Sequence, residues 1–357
     1  MVRYIRRLRA RSFGCLKDAT VELTPLHAFI GPNDSGKSTL LEAAGLVVDL
    51  ATHSSQRRGS IPQYQNKLDL IQSSQSEIEI WTMENVSYRI CNPKMRLTEE
   101  IRINGQPFRS YARNPTADTR LDLGTILPED YNPERYSLTG SWLVRFEPDR
   151  MHEPSSLIPD KRAISFEDER GKGLAGVYDA IRNQSDDTFE AISRELPKLF
   201  PTVKHLRMFN VSTTMKVLGI ELLDGTLVPS DRMSEGMLFW LGFAAIRALG
   251  PPSLLLVEEP ENGLHPARIA EVVRVLRDVS QSSQVLIATH SPLVVNELEP
   301  EEVTLVTRDA VQGTIVHPIK DTPNFTDRSK IFALGELWLS YANGDDEAPL
   351  LSGEDDG

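Results

Sequence analysis

Two stretches of this chain are spaced for phosphate and metal chemistry. The first is GPNDSGKST, comprising Gly31, Pro32, Asn33, Asp34, Ser35, Gly36, Lys37, Ser38 and Thr39. It follows an apolar run and opens a helical pattern, which is the context a phosphate-binding loop requires. The two glycines let backbone N–H groups curl around phosphate oxygens, and a helix N-terminus adds partial positive charge. Lys37 would reach the β- and γ-phosphates of a nucleotide. Ser38 would hold Mg2+.

The second stretch is SLLLVEEPENGLHP, Ser253 to Pro266. A buried strand that ends in two adjacent carboxylates calls for a cation, because two like charges a few Å apart resist ionising together. Glu258 is expected on the Mg2+ side of a nucleotide site, acting through water. Glu259 is expected to orient and polarise the attacking water.

Two shorter motifs have double readings. ATHSP, Ala288 to Pro292, puts His290 at the end of another core strand. Such a histidine is often structural, but beside a phosphate loop its imidazole could hydrogen-bond the γ-phosphate. SEGM, Ser234 to Met237, opens a helix about twenty residues before the paired acids. Ser234 fits an ordinary N-cap and fits equally a second phosphate-binding helix end.

The elements that must position these residues can be read from periodicity. YIRRLRARSF and ATVELTPLHAFIG read as strands, followed by the loop and the helix STLLEAAGLVVDL. Residues 51–75 read as loop with a short helix. IEIWTM, VSYRI and EEIRI, with a turn at Asn104-Gly105, predict an antiparallel sheet. Residues 112–170 carry one clear strand, SWLVRF, and a helical pattern runs from about Gly173 to Leu199. Two strands and a turn at Asp224-Gly225 precede SEGMLFWLGFAAIRALG, a helix with Ser234 as candidate cap. Then come SLLLVEE, PARIAEVVRVLRDVS, SQVLIATH and a short helix from Pro292. Strand–helix–strand at both ends predicts a parallel sheet interrupted by a β-rich insertion.

Composition narrows the class. The chain has 357 residues, 40% hydrophobic and 25% charged, which is ordinary for a folded protein. Six of the negative charges behind the net −12 lie in the last fourteen residues, expected to form a solvated, mobile tail. Cys15 and Cys91 make neither a disulfide framework nor a zinc site. No run approaches the roughly 18 apolar residues of a membrane span, and the N-terminus lacks a signal-peptide pattern; a reducing cytoplasm is expected. Arg3, Arg7, Arg9 and Arg11 share one strand face. They suit either DNA phosphates or a solvated sheet face paired to acids, and the second reading is preferred.

Taken together, the order of phosphate loop, S-x-G helix, LLLVEEPENGLHP and ATHSP resembles the ABC-type ATPase heads of the OLD, RecF and SMC group. The opening IRRLRARSFGCLKDATVELTPLHAFIGPNDSGKSTLLEA is similar to that group as well, closest to compact bacterial AAA-type ATP-binding proteins of anti-phage and related operons. The likeness covers about 1–50 and 140–310. It implies an α/β head with a mixed, largely parallel core sheet, an N-terminal antiparallel β element and a β-rich and helical insertion. One head over 1–343 is expected, with 1–75 and 230–343 as core lobe, 76–229 as inserted lobe and 344–357 as acidic tail.

The resemblance further implies that Ser234, Glu235 and Gly236 form the signature motif, which closes on the γ-phosphate held by a second copy. Asn262, Gly263, Leu264 and His265 would be the D-loop, and His290 the switch histidine acting with Lys37 and Glu259. WLVRFEPDR, Trp142 to Arg150, falls in the Q-loop region but offers no clear glutamine. MSEGM departs from the LSGGQ of transporters, and Glu258 stands where aspartate is commoner. The 67 residues after His290 are too few for the Toprim nuclease domain of OLD proteins, and no coiled coil of the SMC kind is present.

The expected function is an Mg2+-dependent ATPase switch that dimerises on ATP and regulates a partner effector, a nuclease in anti-phage defence. The alternatives are a RecF-like repair ATPase that binds DNA directly and, less well supported, a transporter's ATP-binding subunit. A small-molecule kinase explains neither SEGM nor ENGLHP.

Overall fold

The apolar runs flanking the glycine-rich loop form strands of a parallel sheet. The computed structural model describes residues 4–52, 73, 75–82, 86–91, 98–114, 119–125, 138–159, 162–184, 186–249, 252–323, 325–330 and 332–342. Most of 51–75, read from the sequence as a loop with a short helix, and the whole of 344–357 lie outside these.

In chain order the elements begin with β1 (Ile5–Phe13), β2 (Leu16–Glu22), β3 (Leu26–Ile30) and α1 (Lys37–Thr52). Five strands follow: β4 (Glu77–Thr82), β5 (Val86–Cys91), β6 (Thr98–Ile103), β7 (Gln106–Asn114) and β8 (Thr119–Thr125). Next come β9 (Ser141–Val144), α2 (Pro148–Met151), β10 (Ser155–Ser156), α3 (Leu174–Gln184), α4 (Asp186–Leu199), β11 (Val203–Asn210), β12 (Met215–Leu222) and β13 (Leu227–Pro229). The last third holds α5 (Glu235–Ile246), β14 (Leu254–Glu258), α6 (Pro266–Ser280), β15 (Gln284–Thr289), α7 (Pro292–Val295), β16 (Val303–Asp309), β17 (Gly313–Pro318), α8 (Phe325–Arg328) and α9 (Leu334–Ala342).

The chain divides into two units. The first comprises Met1–Trp142, Pro252–Glu258 and Ser280–Gly357; the second comprises Leu143–Pro251 and Glu259–Val279.

In the first unit a six-stranded sheet runs β17-β16-β3-β15-β14-β9, and the chain passes to the second unit within β9. β14, β15, β3 and β16 are mutually parallel, and β17 returns antiparallel. Every residue of β3 and β15 is buried, as expected for parallel strands covered on both faces. A seven-stranded antiparallel sheet runs β2-β1-β4-β5-β6-β7-β8. Its β6–β7 turn falls at Asn104 and Gly105, both at positive φ, as the Asn-Gly signal predicts.

α1 packs against β14 and β15 and also against β1, β4 and β5. That double cover explains why Leu40, Leu41, Ala43, Ala44, Leu46, Val47 and Val48 are all buried. Asp49 in its last turns accepts bonds from the Ser141 N–H (2.6 Å) and Oγ (2.7 Å), tying the helix to the start of β9. Gln284 ties β15 to the N-terminus: its side chain accepts from the Ile5 N–H at 2.7 Å and donates to the Ile5 carbonyl at 2.8 Å.

The arginine stripe of β1 is paired to acids, as the preferred sequence reading has it. Arg9 makes a two-pronged contact with Asp18 at 3.1 and 3.0 Å, Arg11 reaches the same carboxylate at 3.3 Å, and Arg7 meets Glu22. The hydrogen bond from Arg9 is the main reason the Asp18 carboxyl is held below its ordinary range. Such half-exposed pairs contribute about 0–1 kcal/mol each, so they satisfy a solvated face rather than stabilise the fold strongly. Arg3 lies outside the described residues.

In the second unit β12 is flanked by β10, β11 and β13 in antiparallel pairing. α3 packs on β12 and α4 on β11. The helical pattern read over 173–199 holds the helices α3 and α4, and Ser185 between them lies outside the described residues. The strand read as SWLVRF is confined to Ser141–Val144.

α5 is apolar all round, and Met237 to Ile246 are all buried, the pattern of a core helix. Its Phe243 meets Phe146 edge-on at 5.0 Å, and its Leu241 carbonyl accepts the buried Tyr178 hydroxyl at 2.8 Å.

Candidate functional site

In the first unit the phosphate loop leaves the end of β3. Close packing requires glycine at both loop positions. A Cβ on Gly31 would lie 1.9 Å from the Val306 carbonyl oxygen. Gly36 has φ +109, and a Cβ there would lie 2.5 Å from Thr314 Oγ1. Asp34 is held at φ 65, a left-handed conformation that aspartate tolerates better than most residues. Lys37 opens α1 and is only 6% exposed; its Nζ donates to the carbonyls of Gly31 (2.8 Å) and Pro32 (2.7 Å), so the ammonium sits within the loop. The first turn of α1 holds no acid, which leaves the positive helix end unneutralised by its own side chains. Ser38 is exposed on the same turn, next to Thr39, whose Oγ1 lies 3.4 Å from Cys15 Sγ.

Register places the other two candidates of this unit at the same sheet end. Ile30, the residue before Gly31, pairs with Thr289, the residue before His290. Glu258 at the end of β14 pairs with Ala288. Three adjacent parallel strands therefore deliver the loop, Glu258 and His290 to their carboxyl ends, where ligands of open α/β sheets bind. Glu258 is half-buried and His290 exposed. Thr289, buried, accepts the Ser291 N–H at 2.9 Å and so fixes the bend after the strand. The hydroxyl of Ser38 and the carboxylate of Glu258 are hard oxygen donors of the kind Mg2+ takes.

Glu259 opens the second unit's share of the motif with φ 46, a rare conformation for glutamate that costs about 1–3 kcal/mol. Behind it two tight turns fold Glu261 to His265: Asn262 N–H donates to the Glu259 carbonyl and Leu264 N–H to that of Glu261, each at 3.0 Å. Gly263 sits at φ 68, and a Cβ there would lie 2.4 Å from the Phe239 ring. His265 Nδ1 accepts the Ala267 N–H at 3.2 Å and thereby caps α6.

Within the second unit, Ser234, Glu235 and Gly236 share a groove of about 640 Å3 with Gly263, His265, Ala267, Arg268 and Phe200. The N-termini of α5 and α6 both open on it. Ser234 takes the N-cap position of α5, yet its side chain makes no capping hydrogen bond. The hydroxyl is therefore not used by its own helix. His265 and Arg268 line the groove beside the motif; Arg268 stacks over Phe200 at 5.2 Å. The sequence reading did not single out Arg268 or Phe200, since no motif joins residues so far apart.

A curated relative, the OLD nuclease of Thermus scotoductus (strain ATCC 700910 / SA-01), is 26% identical over 358 residues, covering 89% of this chain and 64% of its own. The chain thus spans just under two thirds of that relative's length. Among solved structures, an Smc head bound to the C-winged helix domain of ScpA superposes with a TM-score of 0.57 at 17% identity, over 92% of this chain and all of the other. An Smc head with an extended coiled coil, bound to the C-terminal domain of ScpA from Pyrococcus furiosus, gives 0.51 at 14% identity with the same coverage. These likenesses establish the fold as that of an SMC-type ATPase head.

Residues 4–103 match a family described as "AAA ATPase domain". Residues 98–296 match the family described as "AAA domain, putative AbiEii toxin, Type IV TA system". That second match spans more than half of the chain, and the chain belongs to this family of AAA ATPase domains.

Proposed function

We propose that the protein is an ATP-driven dimerising switch that controls a partner effector. In this reading two chains enclose two ATP molecules. The loop Gly31 to Thr39 of one copy holds the phosphates, and the groove at Ser234 to Gly236 of the other copy closes on the γ-phosphate. Ser38 and Glu258 would hold Mg2+, which supplies counter-charge for the phosphates. Glu259 polarises the attacking water, His290 hydrogen-bonds the γ-phosphate, and Asn262 to His265 relay between the copies. The observation that carries the reading is the Ser234 hydroxyl: it stands at a helix N-terminus in an open groove and is not used by its own helix.

The effector is proposed to be a nuclease on a separate polypeptide, acting in anti-phage defence in the cytoplasm. Support comes from the relative named as an OLD nuclease, of which this chain spans 64%, and from the toxin–antitoxin wording of the family description. Direct DNA binding is the weaker reading, because the β1 arginines are already paired to carboxylates. No helix among the described residues is long and apolar enough to cross a membrane.

The dimer reading is tested by the concentration dependence of ATP turnover. If each site needs two copies, the rate per chain rises with protein concentration until dimers saturate. A rate per chain that stays constant from nanomolar to high micromolar protein would overturn it.

A further inference from the structure

The phosphate loop is gripped from behind by the β16–β17 hairpin, a segment beyond residue 296, where both family matches have ended. Three contacts make the grip. The Val306 carbonyl of β16 lies against Gly31, so close that a Cβ on Gly31 would lie 1.9 Å from its oxygen. Arg308 at the end of β16 donates from Nη1 to the Asp34 carbonyl at 3.2 Å. Thr314 at the start of β17 donates from Oγ1 to the Ser35 carbonyl at 2.8 Å.

The consequence follows from peptide geometry. In a trans peptide the C=O of one residue and the N–H of the next point opposite ways across one plane, and there are no cis bonds among the described residues. Turning the Asp34 carbonyl toward Arg308 therefore turns the Ser35 N–H away from the hairpin, to the side where it meets the Pro32 carbonyl at 3.4 Å. Turning the Ser35 carbonyl toward Thr314 likewise turns the Gly36 N–H away from the hairpin. The Gly36 N–H is one of the amides a phosphate loop offers to its anion, and the Ser35 N–H closes the turn from Pro32 that shapes it.

Left alone, this loop has reason to relax. Asp34 sits at φ 65 and Gly36 at φ +109, and Ser35 Oγ is buried without a hydrogen-bond partner among the described residues. A segment with two left-handed residues and an unmatched hydroxyl has other conformations within reach. Arg308 differs from the arginines of β1: those meet carboxylates, whereas among the described residues Arg308 donates to a main-chain oxygen of the loop. Thr314 is 3% exposed, and its hydroxyl lies against Gly36.

We infer that Arg308 and Thr314 are positioning residues for nucleotide binding, which hold two peptide planes of the phosphate loop so that the Ser35 N–H closes the inner turn on Pro32 and the Gly36 N–H is presented to phosphate. The inference rests on the reading of Gly31 to Thr39 as the nucleotide site. It concerns the phosphates common to ATP and ADP, so both nucleotides feel it equally.

The test is calorimetric titration of the full chain with MgATP and with ADP. Arg308→Met with Thr314→Val removes both donors with little change of volume, and raises the Kd for both nucleotides by about tenfold, as expected for two lost hydrogen bonds. Thr314→Ser, which keeps the hydroxyl, binds both nucleotides like the original chain, whereas Thr314→Val alone weakens both; this pair decides the matter if the double variant does not fold. Unfolding temperatures within a few degrees of the original separate lost positioning from lost structure. Weakening confined to ATP would overturn the inference, since it would mean that Arg308 touches the γ-phosphate itself. Unchanged affinity for both nucleotides would overturn it too, provided Lys37→Ala abolishes binding. If Lys37→Ala binds normally, it is the phosphate-loop reading that fails, and the inference with it.

Discussion

Ile30 and Thr289 are register partners in adjacent parallel strands, so the phosphate loop and His290 start side by side from one level of the sheet. Glu258 reaches that level through its own pairing with Ala288. Chemistry that is scattered over 260 residues of sequence is thus gathered at one end of three adjacent parallel strands.

Lys37→Ala is expected to abolish measurable ATP binding. The side chain is the cation inside the loop, and methyl cannot replace its bonds or its charge. Calorimetry of the purified variant checks this; an affinity within twofold of the original would sink the site.

Gly236→Arg is expected to leave nucleotide affinity of the isolated chain intact and to prevent closure of two copies. A Cβ on Gly236 meets the Gly263 carbonyl at 3.4 Å and Leu264 Cδ2 at 4.0 Å, ordinary contacts, so the fold accepts a side chain that then fills the groove. ATP turnover should fall by at least a hundredfold while the Kd for ATP moves less than threefold. Turnover at the original rate would remove the groove from the mechanism.

His27 gives the fold a pH dependence of known sign. It is fully buried in β3 between Thr24 Oγ1 (3.1 Å) and Thr304 Oγ1 (2.9 Å), and burial lowers its pKa to about 3. Folded His27 stays neutral while the unfolded chain takes up a proton near pH 6.5. Its contribution is therefore complete above pH 6.5 and is lost as pH falls toward 3, at about 1.4 kcal/mol per pH unit. Urea unfolding at pH 6.5 and 5 should show about 2 kcal/mol more loss in the original chain than in His27→Gln. Equal losses would mean that the ring is charged or solvated in the fold.

Much of this architecture was legible beforehand because its signals are local. Gly31, Gly36 and Lys37 announce a loop whose glycines have no alternative, and the apolar runs LLLV of β14 and VLIA of β15 announce buried parallel strands. The turn at Asn104-Gly105 was equally plain. What stayed hidden depends on distance in sequence. Nothing in TRDAVQGT says that Arg308 reaches a carbonyl 274 positions earlier, or that Thr314 backs Gly36.

The purified chain alone is expected not to cut DNA or RNA in Mg2+ or Mn2+. A two-metal nuclease needs several carboxylates converging in an open site, and in the proposed mechanism Glu258 and Glu259 are committed to nucleotide chemistry. Robust cleavage by a homogeneous preparation, lost on substituting residues outside the ATP site, would move the effector function into this chain.

The central claim is that ATP joins two copies through the phosphate loop of one and the Ser234 groove of the other. Glu259→Gln tests it most directly, because a neutral amide cannot polarise water as a carboxylate does, so ATP should bind and persist. Multi-angle light scattering of this variant should give a monomer without nucleotide and twice that mass with saturating MgATP, the dimer vanishing when Gly236→Arg is added. A Glu259→Gln chain that stays monomeric at saturating MgATP, or a dimer indifferent to Gly236→Arg, would contradict the account.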